Sequence, residues 1–138
     1  MSDRQASSPT PRRLSWLLIV AVATGCGPDV QTIAADDLAA HLAEGKAGQV
    51  FHLIDLRPAE DFASAHLPGA RSVPYALLAG DPNLFTDGKP VIFYDEDLAD
   101  PRRIGKALGP RLPPNVVVLA GGMRAWADEG LPLIKVRQ

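Results

Sequence analysis

Four acids crowd six consecutive positions directly after an apolar run: Val91-Ile92-Phe93-Tyr94 leads into Asp95-Glu96-Asp97-Leu98-Ala99-Asp100. Hard cations favour clustered carboxylate oxygens, so Asp95, Asp97 and Asp100 are candidate ligands for Ca²⁺ or Mg²⁺. Asp95 and Asp97 also form Asp-x-Asp behind a strand, where one carboxylate can attack phosphorus while the pair holds Mg²⁺. The segment lacks the glycine and the spacing of an EF-hand loop. A solvated acidic loop capping the next helix is the reading that needs no ligand. Arg102 and Arg103 are the first cations after it.

Asp55 and Arg57 close a second apolar run, Val50-Phe51-His52-Leu53-Ile54. They can line a pocket, or they can form an ion pair and hydrogen-bond network that fixes the neighbouring loops. His66 is a candidate base or metal ligand, but no second histidine lies near it in sequence, so a structural hydrogen bond is the expectation. His41 and His52 fall in a helix and a strand, and Trp126 is expected to pack its helix on the sheet. The one cysteine, Cys26, excludes an internal disulfide and a cysteine metal cluster.

The elements that must position these groups alternate. Ile33, Leu38 and Leu42 recur at helical spacing behind Asp36 and Asp37, whose charges suit a helix N-terminus. Strands are predicted at 50–55, 71–74, 91–94 and 116–119. Runs apolar on both faces suit parallel strands covered by helices. Helices are predicted at 59–65, 75–78, 103–112 and 123–129, with a loop over 80–90. Alternating strands and helices imply a parallel sheet whose working site lies beyond the carboxyl ends of the strands. Asp55 and Asp95 sit at two such ends.

Residues 1–25 read as an export signal: a polar start ending in Arg12-Arg13, the apolar stretch 14–23, then Thr24-Gly25 before Cys26. The apolar stretch spans roughly 15 Å as a helix, about half a bilayer core, and is too short to be a stable membrane span. Ala23-Thr24-Gly25-Cys26 resembles the bacterial lipobox, which implies lipidation of Cys26 and a palmitate-type acyl anchor. Gly27 stands where some lipoproteins carry an inner-membrane retention aspartate, so an outer-membrane site facing the periplasm is expected. The chain then divides into a signal peptide (1–25), a tether (26–31) and one domain (32–138).

The 138 residues suffice for one compact domain after such a signal, and 46% apolar content allows a core. Net charge is −2, and loss of 1–25 removes three arginines against one aspartate. An acidic balance without a basic stripe argues against nucleic acid as a partner.

Three segments in order resemble the rhodanese-like family. Ile54-Asp55-Leu56-Arg57 with Glu60, Asp61 and Phe62 is similar to its first strand and helix. His66-Leu67-Pro68-Gly69-Ala70-Arg71-Ser72-Val73-Pro74 is similar to its His-Ile-Pro-Gly-Ala segment. Leu119-Ala120-Gly121-Gly122 with Trp126, Gly130, Leu131 and Pro132 is similar to its closing strand, turn and helix. The resemblance implies a three-layer α/β fold with a short parallel sheet of about five strands. It also implies that the sulfur-carrying cysteine of catalytic members stands where this chain has Asp95. The resemblance therefore places Asp55, Arg57, Asp95, Glu96, Asp97, Asp100, Arg102 and Arg103 on the rim of a pocket with no catalytic residue.

A carboxylate cannot hold a transferable sulfane sulfur, and clustered acids repel anionic sulfur donors. The expected function is a membrane-anchored, non-catalytic binding module without cofactor, whose partners are the membrane and a periplasmic protein. Two alternatives stay open. One is a metal-dependent phosphoester hydrolase using Asp95 and Asp97, a motif similar to that of haloacid-dehalogenase-type phosphatases, with Ala99 where Thr or Val is usual. The other is sulfur transfer through a cysteine supplied by a partner.

Overall fold

The computed structural model describes residues 30–80, 84–113 and 115–136. The signal segment, Cys26 and the start of the tether lie outside the described residues. Five parallel strands form the main sheet: β1 (Gln31–Ile33), β2 (His52–Asp55), β4 (Arg71–Ser72), β5 (Val91–Tyr94) and β6 (Val116–Leu119), in the order β1-β6-β5-β2-β4. The predicted parallel sheet is therefore present, with β5 and β2 at its centre.

Period-two alternation sends neighbouring residues of a strand to opposite faces, which explains why β5 and β6 carry no charged residue. Leu53, Ile92 and Val117 point to one face, where they meet Leu38 of α1 (Ala35–Ala43) and Trp126 of α5 (Gly122–Asp128). Ile54, Phe93 and Val118 point to the other, against Leu78 of α3 (Tyr75–Leu78) and Ile104 and Leu108 of α4 (Pro101–Leu108). Both faces are covered, so neighbouring residues of a strand must both be apolar. Trp126 packs on the sheet as expected, and its indole N–H donates to the Pro132 carbonyl at 2.9 Å.

Several elements differ from the sequence reading. Gln31, assigned to the tether, is already sheet: β1 pairs with β6 through Gln31 and Val117. Three residues are too few to show a period, and only β6 makes them a strand. Helix α4 starts at Pro101, two residues earlier than predicted, with the Asp100 side chain accepting from the Arg102 N–H. Asp-Pro is a cap followed by a proline suited to a first turn. The same helix ends at Leu108, and a 3₁₀ turn (Gly109–Arg111) follows, since Pro110 cannot donate to an α ladder. Helix α2 (Ala59–Ser64) stops one residue short, because Ala65 is extended and opens β3 (Ala65–His66). β3 pairs antiparallel with β7 (Ile134–Lys135), a two-residue ribbon that no local pattern announces.

The strand-entry side is held by side chains as well as by the sheet. His52 Nε2 lies 2.9 Å from Asp87 Oδ2, and the Lys89 N–H donates to Asp87 Oδ1 at 3.1 Å. The His52 hydrogen bond foremost, then the Lys89 N–H, hold the Asp87 carboxyl at about 2, below its ordinary 3.8. A depressed pKa contributes stability that is complete above about 3.8 and is lost as pH falls through about 2. Carboxyl-carbon NMR should place the Asp87 midpoint near 2, and His52→Ala should move it back toward 3.8. An unmoved midpoint would show that the pair does not exist in solution.

Candidate functional site

The carboxyl ends of β2 and β5 meet in a buried ionic centre. Asp55, the last residue of β2, is 0% exposed, and Arg57 only 5%. Asp55 Oδ1 accepts the Arg57 backbone N–H at 2.9 Å and its Nε at 3.1 Å, while Oδ2 accepts Nη2 at 2.8 Å. Arg57 Nη2 also donates to the Ala65 carbonyl at 2.7 Å, which fastens the end of α2 to β2. Arg57 Nη1 stands 3.5 Å from Glu96 Oε2 of the acidic loop. Burial pulls the Arg57 pKa down, but the hydrogen bonds and charge of Asp55, then Tyr94 and Glu96, outweigh it and leave it raised.

Tyr94, the last residue of β5, completes the centre. Its hydroxyl accepts the Leu67 N–H at 3.2 Å, and its ring lies 5.9 Å from the Arg57 guanidinium carbon. Burial, reinforced by the Asp55 carboxylate, pushes the phenol well above its usual range, so it stays neutral. His66 has the structural role expected of it: Nδ1 donates to the Phe62 carbonyl at 2.9 Å, and the ring stacks on Phe62 at 3.9 Å.

The loop over 95–100 sits on this centre and is clamped from several sides. The carbonyls of Asp95 and Glu96 accept the N–H groups of Met123 and Arg124, each at 2.9 Å. Gly122 makes that approach possible, since a Cβ there would lie 2.0 Å from the Asp97 carbonyl oxygen and 2.5 Å from that of Asp95. The Asp97 carboxylate pairs with Arg124 at 3.0 Å. The Asp100 N–H donates to the Tyr75 hydroxyl at 3.1 Å, and Arg103 stacks over the Tyr75 ring at 3.9 Å. Ala99 is buried beneath the loop, whereas Leu98 projects outward, 56% exposed.

These positions revise the candidate residues. Asp55 and Arg57 lie beneath the rim, as the ion-pair network that holds it, because no solvent reaches the Asp55 carboxylate. Glu96, Asp97, Asp100, Arg102 and Arg103 are exposed, and Asp95 is half-buried. Asp95, Asp97 and Asp100 do not form a ligand set. Asp95 Oδ1 takes the Glu96 N–H at 2.8 Å, Asp97 is committed to Arg124, and Asp100 caps α4 through the Arg102 N–H. Among the described residues, no group of three or more His, Cys, Asp or Glu side chains is placed to hold a metal. The sequence reading missed Gly122, Tyr75, Tyr94 and Arg124. Gly121-Gly122 was visible as a turn, but nothing local shows that a loop from β5 will rest on it.

Chemically, the arrangement offers carboxylates and one outward leucine above a closed ion pair, with no nucleophilic sulfur. Cys26 lies before the domain.

Residues 34–129 match the model of the rhodanese-like domain family. A curated relative, Centrosomal protein of 41 kDa B from Xenopus laevis, is 31% identical over 88 residues, which cover 57% of this chain and 24% of the relative. The chain thus spans about a quarter of that protein's length. Among solved structures, a Rhodopseudomonas palustris protein of unknown function described as a possible tyrosine phosphatase superposes with TM-score 0.64. It is 22% identical, over 76% of this chain and 85% of that one. Thiosulfate sulfurtransferase from Pseudomonas aeruginosa gives 0.62 at 24% identity, over 79% and 21%. A rhodanese-like domain protein from Staphylococcus aureus gives 0.57 at 27% identity, over 76% and 98%. With strand order, matched segments and family match in agreement, the chain belongs to the rhodanese-like domain family.

Proposed function

We propose that this chain is a membrane-anchored rhodanese-like binding module that does not transfer sulfur itself. One observation carries the reading: the loop after β5 opens with Asp95, and the matched segment 34–129 contains no cysteine. Sulfur transfer needs a thiolate that becomes a persulfide, and a carboxylate oxygen cannot take that role. The loop is nevertheless held by α5, Arg57, Arg124 and Tyr75. That rigidity suits recognition of a protein partner by the loop's surface. Anchoring rests on the apolar stretch 14–23 and on Ala23-Thr24-Gly25-Cys26, and the proposed site is the outer membrane, facing the periplasm. Among the described residues, no helix is long and apolar enough to cross a membrane.

The test is the full chain incubated with thiosulfate and cyanide. No thiocyanate above the blank is expected, and intact mass should show no added sulfur. Turnover, or a sulfur adduct on the domain, would overturn the non-catalytic reading. Anchoring is checked separately. Cys26→Ser should move the protein from the membrane to the soluble fraction, and unchanged partitioning would remove the lipid anchor from the proposal.

A further inference from the structure

We infer that the solvent face of α4, with the 3₁₀ turn behind it, is a docking surface for an acidic segment of a partner protein. The inference goes beyond the loop surface proposed above and needs neither the anchor nor the missing cysteine. Only three residues of α4 are exposed, Arg102, Arg103 and Lys106, and all three are cations. At 3.6 residues per turn they fall within an arc of about 100°. Ile104 and Leu108, on the other side of the helix, face the core. Arg111 adds an exposed cation just beyond the helix. No acid occurs from Pro101 to Ala127. Among the described residues, Arg102, Arg103 and Lys106 form no ion pair.

Helix stability does not account for this arrangement. Lys106 suits the last turn, but Arg102 and Arg103 sit in the first, where the helix dipole disfavours cations. Arg102 and Lys106 are also like charges one turn apart, which weakens a helix. The nearest acids are committed elsewhere: Asp100 to the Arg102 backbone N–H, and Asp97 to Arg124. Two of the guanidiniums are held in place by α3 and the residue after it. Arg103 lies over the Tyr75 ring at 3.9 Å, and Arg111 Nη2 donates to the Ala79 carbonyl at 2.9 Å. Side chains fixed in advance lose little freedom on binding, and a planar guanidinium grips a carboxylate through paired hydrogen bonds. Arg102 and Lys106 stand about 6 Å apart along the helix axis. Same-side residues of an extended chain recur every 6–7 Å or about that, so alternate acids of such a segment meet both. An anionic leaflet would sum over a broad surface of a chain whose net charge is −2. A narrow segment lying along α4 meets the cations alone.

The experiment titrates the full chain, held in a non-ionic detergent, into a fluorescein-labelled peptide of alternating glutamate and serine, read by anisotropy. Binding that weakens with salt is expected. Arg102→Gln with Lys106→Gln should weaken it by roughly tenfold or more, through loss of two charge-assisted contacts. The same variant should melt no lower than the parent, which separates binding from folding. Arg103→Lys keeps the charge but not the flat stack on Tyr75, and should weaken binding several-fold. Lys135→Gln removes an exposed cation elsewhere, on β7, and should hardly change it. No binding by the parent chain, or an equal loss in Lys135→Gln and the double variant, overturns the inference. So does complete displacement of the peptide by phosphatidylglycerol added to the micelles, which would give the face to lipid headgroups.

Discussion

Arg57→Met should lower the stability of the domain by about 3–5 kcal/mol, the cost of leaving one member of a buried ion pair without the other. Asp55 would then be a carboxylate with no exposure, stripped of the side-chain donors Nε and Nη2 and left with the Arg57 backbone N–H and its hydrogen bond to Tyr94. Loss of the Nη2 bond to Ala65 also frees the end of α2. The Glu96 contact adds little, because its carboxylate is exposed and screened. At about 4 °C or more per kcal/mol for a domain of this size, the melting point should fall by more than about 10 °C. Removing both charges in Arg57→Met with Asp55→Leu should restore much of the loss, since an apolar pair of similar volume is often neutral or better. A single variant melting within a degree or two of the parent would show that the ion pair does not hold this end of the sheet.

Gly122→Ala should be the second large effect, through the seat of the acidic loop. The new Cβ would meet the carbonyl oxygens of Asp97 and Asp95 at 2.0 and 2.5 Å, both backbone atoms that cannot swing away as a side chain does. Relief requires the loop to rise, breaking the Met123 and Arg124 hydrogen bonds to Asp95 and Glu96. Each such bond contributes about 1 kcal/mol net, and an alanine at φ +57° adds about 1–2 kcal/mol of left-handed strain. Gly45→Ala is the matched control. Its φ is +70°, but a Cβ there meets nothing within 4 Å, so it carries the strain without the collision. The difference between the two variants measures the seating of the loop. Hydrogen exchange should show the Met123 and Arg124 amides, which donate to the loop carbonyls, losing protection in Gly122→Ala alone. Equal losses in the two variants would mean that the loop is not seated on α5.

These two residues also separate what was legible in the sequence from what was not. Arg57 was readable as a partner for Asp55, because two residues apart at a strand end is within hydrogen-bond reach. That the pair is sealed from water was not readable, because its cover comes from β3, Tyr94 and the loop after β5, all distant in sequence. Gly122 was readable as a turn glycine, but its contact is with a segment some twenty-five residues earlier.

The sequence by itself determined the alternation of β2, β4, β5 and β6 with the helices, because runs apolar on both faces suit parallel strands covered by helices. It also determined that a carboxylate follows the central strand and that the domain holds no thiol, since these are matters of residue identity. Tertiary structure decided that Gln31 is sheet, that β3 finds β7, that the acids of the loop are spread among separate partners, and that Asp55 and Arg57 lie under the rim. Each of these depends on which distant backbone or charge comes to lie against a residue. Local period and propensity do not carry that information.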